Sequence, residues 1–174
     1  MAAVALKTEE RQFVTLGIDR EVFAVPVETV LEILDMRPMF RIPDAPAHLS
    51  GLIDLRGRSV PVIDLRLRLG LPQAPVTEST RILVLETPVK GRALTLGLIA
   101  DRVFEVTGLD DDAIEAAPDI GSRWRSDHIR GVGRRNDGFV VVFDLARLFS
   151  ADGDVLLDAG RADLEGDREG RQQS

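Results

Sequence analysis

The segment Ala45–Arg66, APAHLSGLIDLRGRSVPVIDLR, contains two short apolar runs separated by a polar turn. The runs, Gly51–Leu55 and Ser59–Ile63, are rich in Leu, Ile and Val, and their length and polar boundaries indicate β-strands. The turn Arg56-Gly57-Arg58 contains a glycine that tolerates a positive φ. We therefore predict a β-hairpin that presents the Arg56 guanidinium to solvent. There it serves either as a solubilising charge or as a contact for a partner.

Short strands continue on both sides of this hairpin. Asp64 and Asp144 each precede a short Leu-rich segment and are predicted to be helix N-caps, worth ~1 kcal/mol each. Glycines are expected at turns or at close approaches between strands, and this applies to Gly51, Gly57, Gly97 and Gly131. Further strands are predicted at Phe13–Ile18, Glu21–Val25, Arg81–Glu86, Arg92–Ile99 and Phe139–Phe143.

The two halves of the chain resemble each other. Residues 25–33 align with residues 98–106, and residues 60–65 align with residues 140–145. Two units of short strands suggest two small barrels, and each alone would bury too little apolar surface, so a shared core is expected. We place the switch between the units near residues 70–80.

The two ends of the chain lack this strand pattern. Residues 1–10 are predicted to be a flexible N-terminus. Residues 151–174, rich in Gly, Asp and Arg, are predicted to be a disordered acidic tail whose deletion leaves folding intact.

Composition excludes several classes of function. The chain has a net charge of -7, one Trp and no Tyr, which disfavours nucleic-acid binding through phosphate contacts and base stacking. The absence of Cys excludes disulfides and thiolate chemistry and fits a reducing cytosol. No apolar run is long enough to cross a bilayer and no signal-peptide pattern is present, so direct membrane insertion is not expected.

Catalytic chemistry has little support in the motifs. His48, Asp54 and Asp64 suggest a small hydrolase as an alternative, but neither of the two histidines stands in a metal-ligand spacing such as H-E-x-x-H. No Walker-type loop occurs, and no G-x-G-x-x-G opens a helix after a strand. The sequence therefore predicts no catalytic residue, no metal and no cofactor.

The central segment resembles the CheW family of chemotaxis coupling proteins. Residues 51–57, GLIDLRG, and residues 61–65, PVIDL, match the family pattern G-x-x-N-L-R-G-x-x-x-P-[VI]-[VI]-D-L. Asp54 stands where the family usually has Asn and adds a negative charge beside Arg56. Further matches follow in order over about Arg11–Ser150, at Phe23–Val27, Val30–Ile33, Leu96–Val103, Ile129–Gly133 and Val140–Leu148.

The resemblance implies an all-β fold of two five-stranded SH3-like β-barrels that share a hydrophobic core, with few short helices. It also implies a non-catalytic cytoplasmic adaptor that couples the cytoplasmic tips of chemoreceptors to the regulatory domain of a CheA-type histidine kinase. An alternative is the same coupling role in a non-flagellar chemosensory pathway. The residues expected at the coupling surface are Val30, Glu32, Asp54 and Arg56.

Overall fold

The structure is a computed structural model of the chain, and it describes residues 10–110, 114, 128–135, 138–157 and 159. These residues include two short helices, α1 (Leu65–Arg68) and α2 (Leu145–Leu148), and 3₁₀ turns at Val27–Thr29 and Ser150–Asp152. The described strands are β1 (Glu10–Ile18), β2 (Glu21–Pro26), β3 (Val30–Asp35), β4 (Leu49–Leu55), β5 (Arg58–Asp64), β6 (Arg81–Val89), β7 (Arg92–Ala100), β8 (Arg102–Asp110), β9 (Ile129–Arg135) and β10 (Gly138–Phe143).

The strands form two five-stranded sheets of the same design. One has the order β8-β1-β2-β10-β9 and is called the terminal barrel, because its strands come from both ends of the chain. The other has the order β3-β6-β7-β5-β4 and is called the central barrel. In each, one central pair of strands is parallel, β2 with β10 and β5 with β7. The predicted all-β fold of two five-stranded units with few helices is confirmed.

The predicted switch near residues 70–80 does not divide the two barrels. Strands β1–β5 form one copy of the repeat and β6–β10 form the other, but the first hairpin of each copy pairs with the strands of the opposite copy. The β1–β2 hairpin therefore pairs with β8 and β10, and the β6–β7 hairpin pairs with β3 and β5. The apolar periodicity of the sequence did not reveal this exchange. The two copies have similar apolar patterns, so either first hairpin is compatible with either set of partner strands.

The core has three parts, because most strands bury both of their faces. Phe13, Ala24 and Val142 pack inside the terminal barrel, whereas Ile53 and Ile82 pack inside the central barrel. Neighbouring residues on the same strands face the other barrel and build one shared core, which includes Leu16, Phe23, Val25, Ile63, Leu85, Leu96, Leu98 and Phe143. The expected shared core is present.

The predicted start of the disordered tail at residue 151 is corrected by the structure. Residues 153–157 are helical, and Leu156 is only 1% exposed as a member of the shared core. Gly153 lies so close to β6 that an added Cβ would be 2.8 Å from Val89 Cγ1. The sequence prediction relied on the mostly polar composition of this segment and therefore missed the buried Leu156. Residues 1–9, 158 and 160–174 lie outside the described residues.

We predict that Leu156→Ala lowers the free energy of unfolding by about 2–5 kcal/mol, because it leaves a cavity in the shared core. The neighbouring Val155 is 42% exposed, and Val155→Ala is the matched control, with an expected change of about 0.5 kcal/mol or less. Urea unfolding of both variants measures the difference. Equal effects of the two substitutions would show that the segment does not contribute to the core.

Candidate partner-binding site

The β4–β5 hairpin ends in a two-residue turn formed by Arg56 and Gly57. Both have positive φ, 53° and 82°, as in a type I′ turn, and Leu55 pairs with Arg58 across it. The backbone N–H of Gly57 donates a hydrogen bond to Asp54 Oδ1 at 2.8 Å. Asp54 thus caps the turn with its carboxylate, a role that an Asn side-chain oxygen can also fill.

Arg56 forms a two-pronged ion pair with Glu32. Its Nη1 lies 2.8 Å from Glu32 Oε2, and its Nη2 lies 3.3 Å from Oε1. Glu32 is on β3, at one end of the strand order of the central barrel, and the Arg56 hairpin joins the two strands at the other end. The pair therefore bridges the two ends of this sheet. The Arg56 side chain remains 76% exposed, compared with 25% for Glu32.

The edge strand β3 alternates between two faces around Glu32. Val30 is half-buried and packs against the shared core, so only part of it is available to a partner. Ile33 lies on the opposite face of the strand from Glu32, and Leu31 and Ile33 are 51% and 47% exposed. Sequence reasoning did not single out Leu31 and Ile33, because alternation alone does not say which face of a strand meets solvent.

The glycines of the predicted site have specific backbone roles. Gly51 has a φ of +152°, and an added Cβ would lie 2.4 Å from the carbonyl oxygen of Phe40, which exchanges backbone hydrogen bonds with Leu52. Gly97 faces Ile82, whose Cγ2 would lie 2.9 Å from an added Cβ. Gly131 is buried in β9 opposite Val142.

The residues of the hydrolase alternative have separate partners. The His48 imidazole contacts Asp152, Asp54 caps the hairpin turn, and Asp64 accepts a hydrogen bond from the backbone N–H of Arg66 as the N-cap of α1. Within the described ranges, no three His, Cys, Asp or Glu side chains are grouped so that they could hold a metal ion. These contacts give each residue a structural role.

Asp64 also lines a cavity of about 290 Å³ between the central barrel and the loops around residues 36–41 and 73–76. Met36 and Met39 line one part of it, and the Arg66–Asp101 ion pair, 2.6 Å from Nη1 to Oδ2, lines another. Burial raises the pKa of Asp64 above its usual value of 3.8, and the hydrogen bonds from the backbone of Leu67 and Arg66 offset this only in part. The Asp64 carboxylate, at the start of α1, is therefore partly desolvated.

The fold and this surface define a class of protein: a double β-barrel scaffold that presents an ion-paired hairpin and an apolar edge strand. Among the residues described, no helix has the length and apolar character needed to cross a bilayer. Residues 12–153 match the family described as the CheW-like domain. The chain belongs to the CheW family.

Individual relatives agree with this assignment. A probable chemotaxis protein CheW from Rhizobium etli is 30% identical over 149 residues, which cover 86% of this chain and 94% of that protein. Chemotaxis protein CheW from Bacillus subtilis is 34% identical over 114 residues, 66% of this chain and 70% of that protein. The crystal structure of the scaffolding protein TtCheW from Thermoanaerobacter tengcongensis matches with a TM-score of 0.73 and 28% identity, covering 83% of this chain and 90% of that one.

We predict that the Arg56–Glu32 pair contributes little to stability. Because Arg56 is largely exposed, a double-mutant cycle with Arg56→Ala, Glu32→Ala and the double variant should give a coupling free energy of about 0–1 kcal/mol. Urea unfolding in low and high salt measures it, with a smaller coupling expected in high salt. A coupling of several kcal/mol would instead make the pair a main support of the central barrel.

The raised pKa of Asp64 predicts a pH dependence with a definite sign. The folded state binds this proton more tightly than the unfolded chain does, so lowering the pH favours the folded state. The stability of the wild type relative to Asp64→Asn should therefore rise as the pH falls from neutrality towards the usual Asp pKa of 3.8. Urea unfolding across this pH range measures the difference in stability. Asp144→Asn is the control, because it makes the same Asp-to-Asn substitution at the equivalent N-cap. A difference that does not vary with pH would contradict the prediction.

Proposed function

We propose that this protein is a non-catalytic cytoplasmic adaptor that couples chemoreceptor tips to the regulatory domain of a CheA-type histidine kinase. The observation that carries the proposal is the exposed Arg56–Glu32 pair on the family's L-R-G hairpin, within a CheW-like domain that spans most of the chain. The scaffolding protein TtCheW, which has a similar structure, supports the same general role. Recruitment of the adaptor to membrane-associated receptor arrays follows from this proposal.

The coupling surface consists of Val30, Glu32, Asp54 and Arg56. A guanidinium has five N–H donors in a fixed fork, and the Glu32 carboxylate engages two nitrogen atoms of the group at 2.8 and 3.3 Å. Since the Arg56 side chain is 76% exposed, its remaining donors are accessible to a carboxylate on a partner. Glu32 holds the fork in one orientation, so a partner does not have to order a free arginine side chain.

Apolar surface lies close to this charged centre. Leu31 and Ile33 flank Glu32 along β3 and are exposed, with Ile33 on the opposite face of the strand from Glu32. A partner that covers this edge of the sheet with an apolar surface and one acidic side chain would match the exposed apolar residues and the preordered cation. Charge at the rim then sets orientation, and apolar burial supplies affinity.

We predict that Arg56→Ala weakens binding to one of the two partners by about 1–2 kcal/mol, roughly 5- to 30-fold in Kd. The measurement is calorimetric titration against the CheA-type regulatory domain of the same organism and, separately, against a receptor cytoplasmic tip. Arg58→Ala is the matched control, because Arg58 is an exposed arginine two residues away in the same hairpin.

The two partners give distinguishable results. Weakening against the receptor tip alone assigns Arg56 to the receptor side, and weakening against the regulatory domain alone assigns it to the kinase side. Equal losses for Arg56→Ala and Arg58→Ala would mean that only general charge matters. Absence of binding by the wild-type protein to both partners would overturn the proposed adaptor function.

A further inference from the structure

The cavity beside Asp64 has an apolar wall and a charged lining. Its volume of about 290 Å³ is close to the lower end of the range of about 300–1,000 Å³ that is typical of small-molecule sites. Met36, Met39 and Ile99 form the apolar wall, and they also pack against the core inside the central barrel. The rest of the lining includes carboxylates and guanidinium groups. An apolar surface with a few polar groups is the usual design of a site for a small molecule.

Asp64 supplies a shielded carboxylate that can accept further hydrogen bonds. The residue is only 7% exposed. Its carboxylate accepts from the backbone N–H groups of Arg66 and Leu67, and a carboxylate has about four acceptor positions. Burial is the main cause of its raised pKa, and the nearby Asp101 carboxylate raises it further. A positively charged hydrogen-bond donor in the cavity would therefore stabilise the ionised form of Asp64.

Asp101 and Ser50 add two further acceptors to the lining of the cavity. Asp101 Oδ2 accepts from Arg66 Nη1 at 2.6 Å and from the backbone N–H of Asp19 at 2.7 Å. Among the described residues, no hydrogen bond goes to the other oxygen of this carboxylate, Oδ1. Ser50 is half-buried and contributes a hydroxyl group. Together with Asp64, these groups favour a ligand that donates hydrogen bonds.

The shielded guanidinium of the lining, that of Arg66, is already engaged within the protein. Its Nε donates to the carbonyl oxygen of Pro72 at 2.8 Å, its Nη1 pairs with Asp101, and its Nη2 lies 4.0 Å from Asp19 Oδ1. The Arg66 side chain is 15% exposed, whereas Arg41, the other arginine of the lining, is an exposed residue. An anionic ligand would thus find the shielded cation occupied, whereas a cationic ligand would find carboxylate oxygens that can still accept.

We propose that this cavity binds a small organic cation, whose ammonium or amidinium group contacts Asp64 and Asp101 and whose apolar body lies against the apolar wall. The two methionines of that wall have flexible, polarisable side chains that can adapt to a flat ring. The cavity is separate from the Arg56 turn, because Asp64 and this turn lie at opposite ends of β5, a seven-residue strand that spans about 20 Å. Cation binding is therefore independent of the contact proposed for Arg56.

Three probes that share one ring and differ in charge test the site: benzamidinium, benzamide and benzoate. Each is titrated into the full-length protein at neutral pH, and two-dimensional NMR follows the backbone amide signals. We expect benzamidinium to bind with a Kd of about 1 mM, as suits a ligand of this size, and to shift the amide signals of Asp64, Ile99 and Asp101. Neutral benzamide and anionic benzoate should bind roughly 10-fold more weakly, or not at all, because they lack the positive charge.

Asp64→Asn removes the buried charge but keeps a residue that can cap α1, and it should weaken benzamidinium binding roughly 10-fold. Asp144→Asn is the matched control, because it makes the same substitution at the equivalent N-cap of the other barrel, and it should bind as the wild type does. Arg56→Ala should also bind benzamidinium normally. Loss of cation binding and loss of adaptor function are therefore separate results.

Three results would overturn the proposed cation site. These are binding of benzamide or benzoate as tight as that of benzamidinium, an unchanged benzamidinium affinity in Asp64→Asn, and cavity amides that do not shift with benzamidinium up to about 10 mM. If Asp64→Asn does not fold, the comparison of the three probes on the wild-type protein decides the question, because it needs no variant.

Discussion

The exchange of hairpins between the two barrels is the constraint on which the rest of the structure depends. Each barrel takes two adjacent strands from the opposite copy of the repeat, and the terminal barrel joins β1 and β2 to β8–β10 from the other end of the chain. The exchanged strands also supply both walls of the shared core, where Phe23 lies on β2 and Leu96 on β7. Folding of one barrel therefore requires much of the other, and the molecule behaves as one cooperative unit.

This constraint stiffens the proposed coupling surface. The β4–β5 hairpin is joined to the exchanged strand β7 through the parallel pairing of Val62 with Gly97, where a side chain larger than hydrogen would meet Ile82. The support of the hairpin is apolar and buried, whereas the Arg56–Glu32 pair at its tip is exposed. A surface ion pair adds little to folding, so the residue types at this tip are free to serve recognition.

Local features of the fold could be predicted from the sequence, and long-range pairings could not. The hairpin turn at Gly57, the N-caps at Asp64 and Asp144 and the repeat all follow from short-range chemistry. From the sequence, either Glu32 or Asp54 is a possible carboxylate partner of Arg56, and only the position of β3 selects Glu32. The role of Leu156 depends on the other barrel, which local periodicity does not describe.

The two short helices of the repeat differ in residue type, because α1 contains two ion-paired arginines where α2 has apolar residues. Arg66 and Arg68 of α1 reach Asp101 and Asp152, whereas the equivalent positions in α2 are Ala146 and Leu148, and Leu148 is buried in the shared core. Leu148 thus joins the barrels by apolar packing, which salt and pH alter little, whereas Arg68 joins them through charged contacts, which both alter.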